Sequence, residues 1–208
     1  MHIVVKGDDQ QRDEFLSKPI ADGIIVTWIS TNDRVPKADA YFDLLFDEQG
    51  PSFGGITDKP VFLNAVITTC DRLPQNCIRI NAWNGFLKRE IIEVSAADSQ
   101  ILADAAQILY QMGWSHQSVP DTPGMIAARI IAMIINEAYF GLGDEISTKA
   151  EIDTAMKLGT NYPYGPFEWS KKIGVPKIYA LLKKLYETDS RYAVAPALEK
   201  EIAPEINP

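Results

Sequence analysis

Pro120-Asp121-Thr122-Pro123-Gly124-Met125-Ile126 separates two kinds of pattern in this chain. Two prolines and a glycine within five residues are turn chemistry and mark a domain boundary. Beyond it the periodicity is helical. Met125–Phe140 is apolar nearly all round and predicts a buried central helix. Thr148-Lys149-Ala150-Glu151 has the spacing of a capping box and opens a helix through Lys157, with Gly159 as its stop. Asn161-Tyr162-Pro163-Tyr164-Gly165-Pro166 reads as a rigid loop. Pro163, Gly165 and Pro166 are expected to act structurally, through the fixed φ of proline and the permissive backbone of glycine, and valine at Gly165 should destabilise if the φ there is positive. Helices follow over Phe167–Ile173 and Pro176–Glu187, and the acidic, proline-containing tail from Pro196 is expected to be loosely held.

Before the boundary, short β-branched runs alternate with polar segments. His2–Val5, Gly23–Ile29, Ala40–Phe46, Val61–Ile67, Ile78–Trp83 and Ser115–Val119 read as strands. Several are apolar at consecutive positions, as in strands covered on both faces. Two helices stand among them, Asp9–Ser17 and Ala97–Met112. The second carries Ile101, Ala105, Ile108 and Leu109 on one stripe and Gly113 as its stop. The order predicts α/β followed by all-α: an α/β domain over 1–119 and a helical domain over 120–208.

Composition narrows the function classes. With 208 residues, one large or two small domains fit. Twenty basic residues against 28 acidic give a net charge of −8, which disfavours phosphate backbones and anionic membranes as partners. Cys70 and Cys77 are two isolated thiols, with neither a zinc spacing nor a C-x-x-C pattern. Met1-His2-Ile3-Val4-Val5 runs into Lys6, Asp8 and Asp9, unlike a signal peptide. The longest apolar stretch, Met125–Ile135, contains Arg129 and falls short of the ~20 residues that span a bilayer. A soluble, cytoplasmic protein is expected.

The helical half carries a more specific signal. Asp121-Thr122-Pro123-Gly124-Met125-Ile126, Asn136-Glu137-Ala138, Glu151–Gly159 and Tyr162–Glu168 occur in an order and spacing that resemble the C-terminal domain of 3-hydroxyacyl-CoA dehydrogenases over about residues 121–195. The resemblance implies a helical domain that dimerises and closes over an acyl-CoA site. It also implies that residues 1–119 are a truncated Rossmann-like domain.

Upstream the resemblance thins. The family has a strand ending in His-Phe-Phe-Asn-Pro and a catalytic Glu twelve residues after that His. Here Asn81-Ala82-Trp83-Asn84-Gly85 stands in that place, and twelve residues on from Asn81 lies Glu93. An imidazole with pKa near ~6.5 can accept the proton of a 3-hydroxyl during hydride transfer. An asparagine amide cannot. The family's substrate-binding Ser falls at Val66 and its active-site Asn at Ala128, so of the four positions only Glu93 persists. The two histidines, His2 and His116, read as structural. Asn81 and Glu93 are expected to lie close together at a cleft between the domains, the Asn81 amide donating to the carboxylate, with Asn84 on the loop beyond the strand.

The nucleotide side is equally altered. A dinucleotide fingerprint needs several glycines after the first strand, so that backbone amides can approach a diphosphate. Val4-Val5-Lys6-Gly7-Asp8-Asp9-Gln10-Gln11-Arg12 keeps one glycine and adds two acids, which suit a bare helix N-terminus. Asp33 follows the second strand, where a ribose-binding acid is expected, and reads more readily as a solvated residue. Thr31–Asp39 is too short for a full helical crossover, and Asp47–Pro60 is rich in Gly and Pro. A layer of helices is therefore expected to be thinned.

Two readings stay open. In the first, the chain is a degenerate relative without hydride transfer. It needs no cofactor and acts as a homodimer through the helical domain that holds an acyl-CoA-like ligand or serves as a scaffold. In the second, it is an NAD-dependent oxidoreductase with a divergent site, Glu93 or a water serving as base.

Overall fold

The computed structural model describes residues 1–31 and 33–206, the last three by backbone alone. The chain divides into two units, Met1–Met125 and Ile126–Pro208.

Unit one is a seven-stranded sheet. Its strands are β1 His2–Lys6, β2 Ile25–Trp28, β3 Ala40–Asp43, β4 Val61–Asn64, β5 Cys77–Ile80, β6 Ile91–Ala96 and β7 Ser115–Ser118, and the spatial order is β2-β1-β3-β4-β5-β6-β7. Every pair is parallel except β5 with β6. The sheet is Rossmann-like, and β2 forms one of its edges, with Ile25 exposed. In the classic doubly wound order another strand lies outside the second.

The strands alternate between two apolar faces. Ile3, Val5, Phe42, Phe62, Ile78, Ile80 and Val94 face one layer. It is covered by the helices α1 Asp9–Ser17 and α3 Ser99–Met112. Phe15 of α1 is its hub, its ring edge-on to Trp28, Phe42 and Trp114 at 5.5, 5.6 and 4.6 Å. The α3 helix follows its predicted stripe, burying Ala105, Leu109 and Met112, and Gly113 closes it at φ 78°. The opposite face carries Val4, Tyr41, Val61, Leu63 and Cys77. Connecting segments cover it, supplying Phe53, Val35, Ile56 and Leu73. Among the described residues the only helical pieces in those connections are α2 Phe46–Gln49 and a single turn at Cys70–Arg72. The helix layer on this face is thinned, in keeping with the short Thr31–Asp39 link and the Gly- and Pro-rich Asp47–Pro60 link.

Unit two is helical: α4 Ala127–Gly143, α5 Lys149–Thr160, α6 Pro166–Ile173, α7 Val175–Tyr186 and α8 Pro196–Ile206. Buried Asn136 of α4 donates to Ala193 O and accepts from Ala195 N, both at 2.9 Å, fixing the entry to α8. Asp153 of α5 accepts from Phe167 N at 2.8 Å and Glu168 N at 3.2 Å, capping α6 from a neighbouring helix.

Several expectations need correction. Strands Gly23–Ile29, Ala40–Phe46, Val61–Ile67 and Ile78–Trp83 are shorter than read, and Phe46 begins a helix. Strand β6 was not among those expected. Gly159 lies within α5, and Asn161, at φ 55°, ends it. Gly165 has φ −72°, so positive φ is not its reason for being glycine. A Cβ there would lie 2.5 Å from both Cα and Cβ of Asp153. The tail is not loose: α8 buries Leu198 and Ile202. Residues 207 and 208 of that tail lie outside the described residues.

Candidate functional site

In open α/β sheets, ligands bind beyond the carboxyl ends of the strands, where the strand order reverses. Here the reversal is at β1, flanked by β2 and β3. The residues at these strand ends are mostly polar and buried.

The Asn81–Glu93 pair follows from register. Strands β5 and β6 pair antiparallel with Ile78 opposite Ala96 and Ile80 opposite Val94. One step further sets Asn81 opposite Glu93, on the same face of the sheet. Asn81 is 4% exposed and Glu93 is half-buried. The hydrogen bond anticipated between them is not made. Asn81 Oδ1 accepts from Trp83 N at 3.3 Å, and Nδ2 has no partner among the described residues. Asn84 lies on the turn after β5 and donates to Gln10 Oε1 at 3.1 Å.

Val66 is fully buried and carries no polar side-chain atom. Its N–H donates to Asp47 at 2.8 Å. Ala128 is likewise buried, in α4. Both histidines lie away from Asn81. The His2 ring bonds to Lys37 O and Thr27 Oγ1, and His116 sits on the edge strand β7. Asp33 is exposed and accepts from Ser30 N at 2.6 Å in a local turn.

Sequence reading missed the group that fills the first turn. Asp8 is the N-cap of α1 and accepts from Gln11 N at 2.7 Å, while Gln11 Oε1 accepts from Asp8 N at 3.1 Å. This is a reciprocal capping box, and Asp8-x-x-Gln11 was its legible signal. The same Gln11 side chain is fully buried, and its Nε2 donates to Leu44 O at 2.6 Å and Ala82 O at 3.3 Å. Asn64 ties the same segments together, donating to Leu44 O and accepting from Ala82 N. Glu14, one turn further along α1, accepts from Gly85 N at 2.7 Å.

These residues do not fit a dinucleotide. A Cβ on Gly7 would already meet Leu44, Gln11 and Trp28 at 3.1–3.2 Å, so the turn has no free space above its only glycine. Asp8 and Asp9 add negative charge where a diphosphate would bring more.

Sequence reading also missed Arg79. It is fully buried and pairs with Asp121. It donates to Ala65 O at 2.9 Å and to Val66 O and Thr122 O at 3.1 Å. Asp121 also accepts from Cys70 N. Burial pushes the Cys70 and Cys77 thiols up to about 11, against thiolate chemistry. Asp47 is pushed up to about 6, first by burial. No group of three or more metal-ligating side chains occurs among the described residues. No described helix is long and apolar enough to cross a membrane.

Comparison with known proteins bears on the same division of the chain. Residues 124–204 match the family profile of the 3-hydroxyacyl-CoA dehydrogenase C-terminal domain. A 3-hydroxyadipyl-CoA dehydrogenase of Escherichia coli K12 is 44% identical over 81 residues, 39% of this chain and 17% of the relative. A 3-hydroxybutyryl-CoA dehydrogenase of Clostridioides difficile is 30% identical over 144 residues, 65% of this chain and 50% of the relative. The chain thus spans half or less of the length of these relatives. The solved (S)-3-hydroxybutyryl-CoA dehydrogenase of Ralstonia eutropha superposes with a TM-score of 0.70, covering 98% of this chain and 94% of that one at 17% identity. At that identity the likeness is one of fold.

Proposed function

We propose that the chain, whose residues 124–204 match the C-terminal domain of 3-hydroxyacyl-CoA dehydrogenases, is a relative of those enzymes without hydride transfer, a homodimer that holds an acyl-CoA-like ligand or serves as a scaffold. The observation that carries this reading is Asn81. It occupies the strand end where the resemblance places the catalytic histidine, opposite Glu93. A carboxamide donates and accepts hydrogen bonds but takes up no proton at neutral pH. General-base assistance of ~10²–10⁴-fold is therefore missing. Val66 and Ala128, in the places of the family's Ser and Asn, supply no hydrogen-bonding side chain in compensation.

Dimerisation is supported by α4. Ile126, the residue that precedes the helix, and Ile130 on it are 41% and 55% exposed, and Met133, Ile134 and Phe140 are half-buried. Contiguous apolar surface of this kind marks interfaces. Light scattering on a dilute sample should show twice the 23.1 kDa chain mass. A single 23.1 kDa species would contradict the dimer. A cytoplasmic location suits two cysteines that form no disulfide.

The activity test is absorbance at 340 nm with NADH and acetoacetyl-CoA, on the wild type and Asn81→His. Neither should turn over, because the imidazole alone restores no substrate or nucleotide partner. Calorimetry with acetoacetyl-CoA alone tests the ligand. The second reading, an active enzyme with Glu93 as base, draws on the retention of Glu93 and on relatives that are dehydrogenases. Turnover by the wild type that is lost in Glu93→Gln would establish it in place of the first.

A further inference from the structure

We infer that the α/β unit is closed to dinucleotides by its own side chains, with the Gln11 carboxamide seated in the crevice where the sheet order reverses. Three observations meet there. The first is the completeness of the Gln11 network. Both Nε2 protons go to backbone carbonyls, of Leu44 just past β3 and of Ala82 just past β5, and Oε1 takes the Asp8 N–H. A primary amide has two donor protons and one acceptor oxygen, so each of its functions is engaged. A buried polar network satisfied in this way is rigid, and displacing it would strand several groups at once.

The second is the state of the helix N-terminus. An anion site there depends on amides left free by the helix. In α1 the Gln11 N–H is held by the Asp8 carboxylate, and the Arg12 N–H is in the first helical bond, to Asp8 O at 2.9 Å. The cap that a phosphate would supply is built into the chain, with its own negative charge.

The third is the other side of β1. Lys6, buried at the strand end, donates to Ser52 Oγ at 2.9 Å, and Ser52 N donates to Asp43 at 2.7 Å. The segment after β3 is thereby drawn against the ends of β1 and β3. Gly7, between Lys6 and the capping box, has Leu44, Gln11 and Trp28 at contact distance of any added Cβ.

This inference is separate from the missing base, since a chain lacking that base could still hold the cofactor. The test is NADH fluorescence titration of the full chain, together with thermal melting with and without NADH. No saturable fluorescence change up to millimolar NADH and no shift in melting are expected. Gln11→Ala should lower the melting temperature by about 5 °C, since Leu44 O and Ala82 O each lose a donor and Asp8 N loses its acceptor. Should that variant fail to fold, Gln11→Met keeps the bulk and loses only the hydrogen bonds, and it should melt lower as well. Saturable micromolar binding of NADH by the wild type overturns the inference, as does unchanged melting in both variants. NADH binding without turnover would overturn it while leaving the missing-base reading intact.

Discussion

Gly165→Val is the perturbation whose consequence follows most directly from geometry. The Gly165 φ of −72° is open to any residue, so valine faces no conformational penalty of the left-handed kind. The obstacle is Asp153, whose Cα and Cβ lie 2.5 Å from where a Cβ would be built. One of those atoms is backbone, so a rotamer change cannot clear the space; α5 must move away from α6. That movement also separates the Asp153 carboxylate from Phe167 N and Glu168 N, now at 2.8 and 3.2 Å, which removes the cap of α6. Overpacking costs ~1–3 kcal/mol and a lost cap ~1 kcal/mol, so a destabilisation of about 3 kcal/mol is expected. Urea unfolding followed by far-ultraviolet circular dichroism measures it. Gly159→Ala is the internal comparison. It lies within α5 with no atom within 4 Å of an added Cβ, and should stabilise by about 0.5–1 kcal/mol. A change below about 1 kcal/mol for Gly165→Val would refute the close-approach argument.

Three other outcomes are expected. Asp47 has its pKa raised from 3.8 to about 6, so the folded state binds a proton more tightly than the unfolded one. Its contribution is complete below the unfolded value of 3.8 and is lost as pH rises to about 6. Asp47→Asn should flatten that dependence, by ~2 kcal/mol across the window, in urea titrations at pH 4 and pH 7. Arg79→Met should cost about 3–5 kcal/mol by the same method, because it takes a donor from three carbonyls and the cationic partner from Asp121. Asn136→Ala should cost about 2–4 kcal/mol and speed proteolysis within α8, whose entry it holds through Ala193 and Ala195; an unaltered cleavage pattern would count against that role.

The helical unit was legible because its signals are local. Thr148 and Glu151 sit one turn apart, and Met125–Phe140 is an apolar run too long for a strand, so local sequence alone names the elements. The end of α5 was misread because Gly159 offers no packing reason to stop there, while Asn161 takes the left-handed conformation two residues later. The tail was misread because Leu198 and Ile202, four apart, are a single apolar pair, whose value comes from packing against a distant helix. The α/β unit was legible in its strands and in its missing helices, but β6 was hidden by the Lys88-Arg89-Glu90 charges beside it. The pairing of Asn81 with Glu93 needed the family spacing. The capping half of Gln11's role was readable, but its bonds to Leu44 and Ala82 and the role of Arg79 were not, since these reach backbone atoms more than ten positions away.

The position of β2 at the sheet edge has a consequence for handling the protein. From Gly23 to Thr31 the chain carries no charge and no proline, and Ile25 projects at 65% exposure beside a row of backbone groups that no other strand among the described residues uses. Such an edge is a template on which another extended segment can add. Two features oppose growth: the strand is only four residues long, and every copy carries a net charge of −8. The second works through water and weakens as ions screen it, with a Debye length of ~10 Å at 0.1 M salt and ~3 Å at 1 M. Concentrated solutions should therefore cloud as simple salt is added, and a lysine in place of Ile25 should keep them clear.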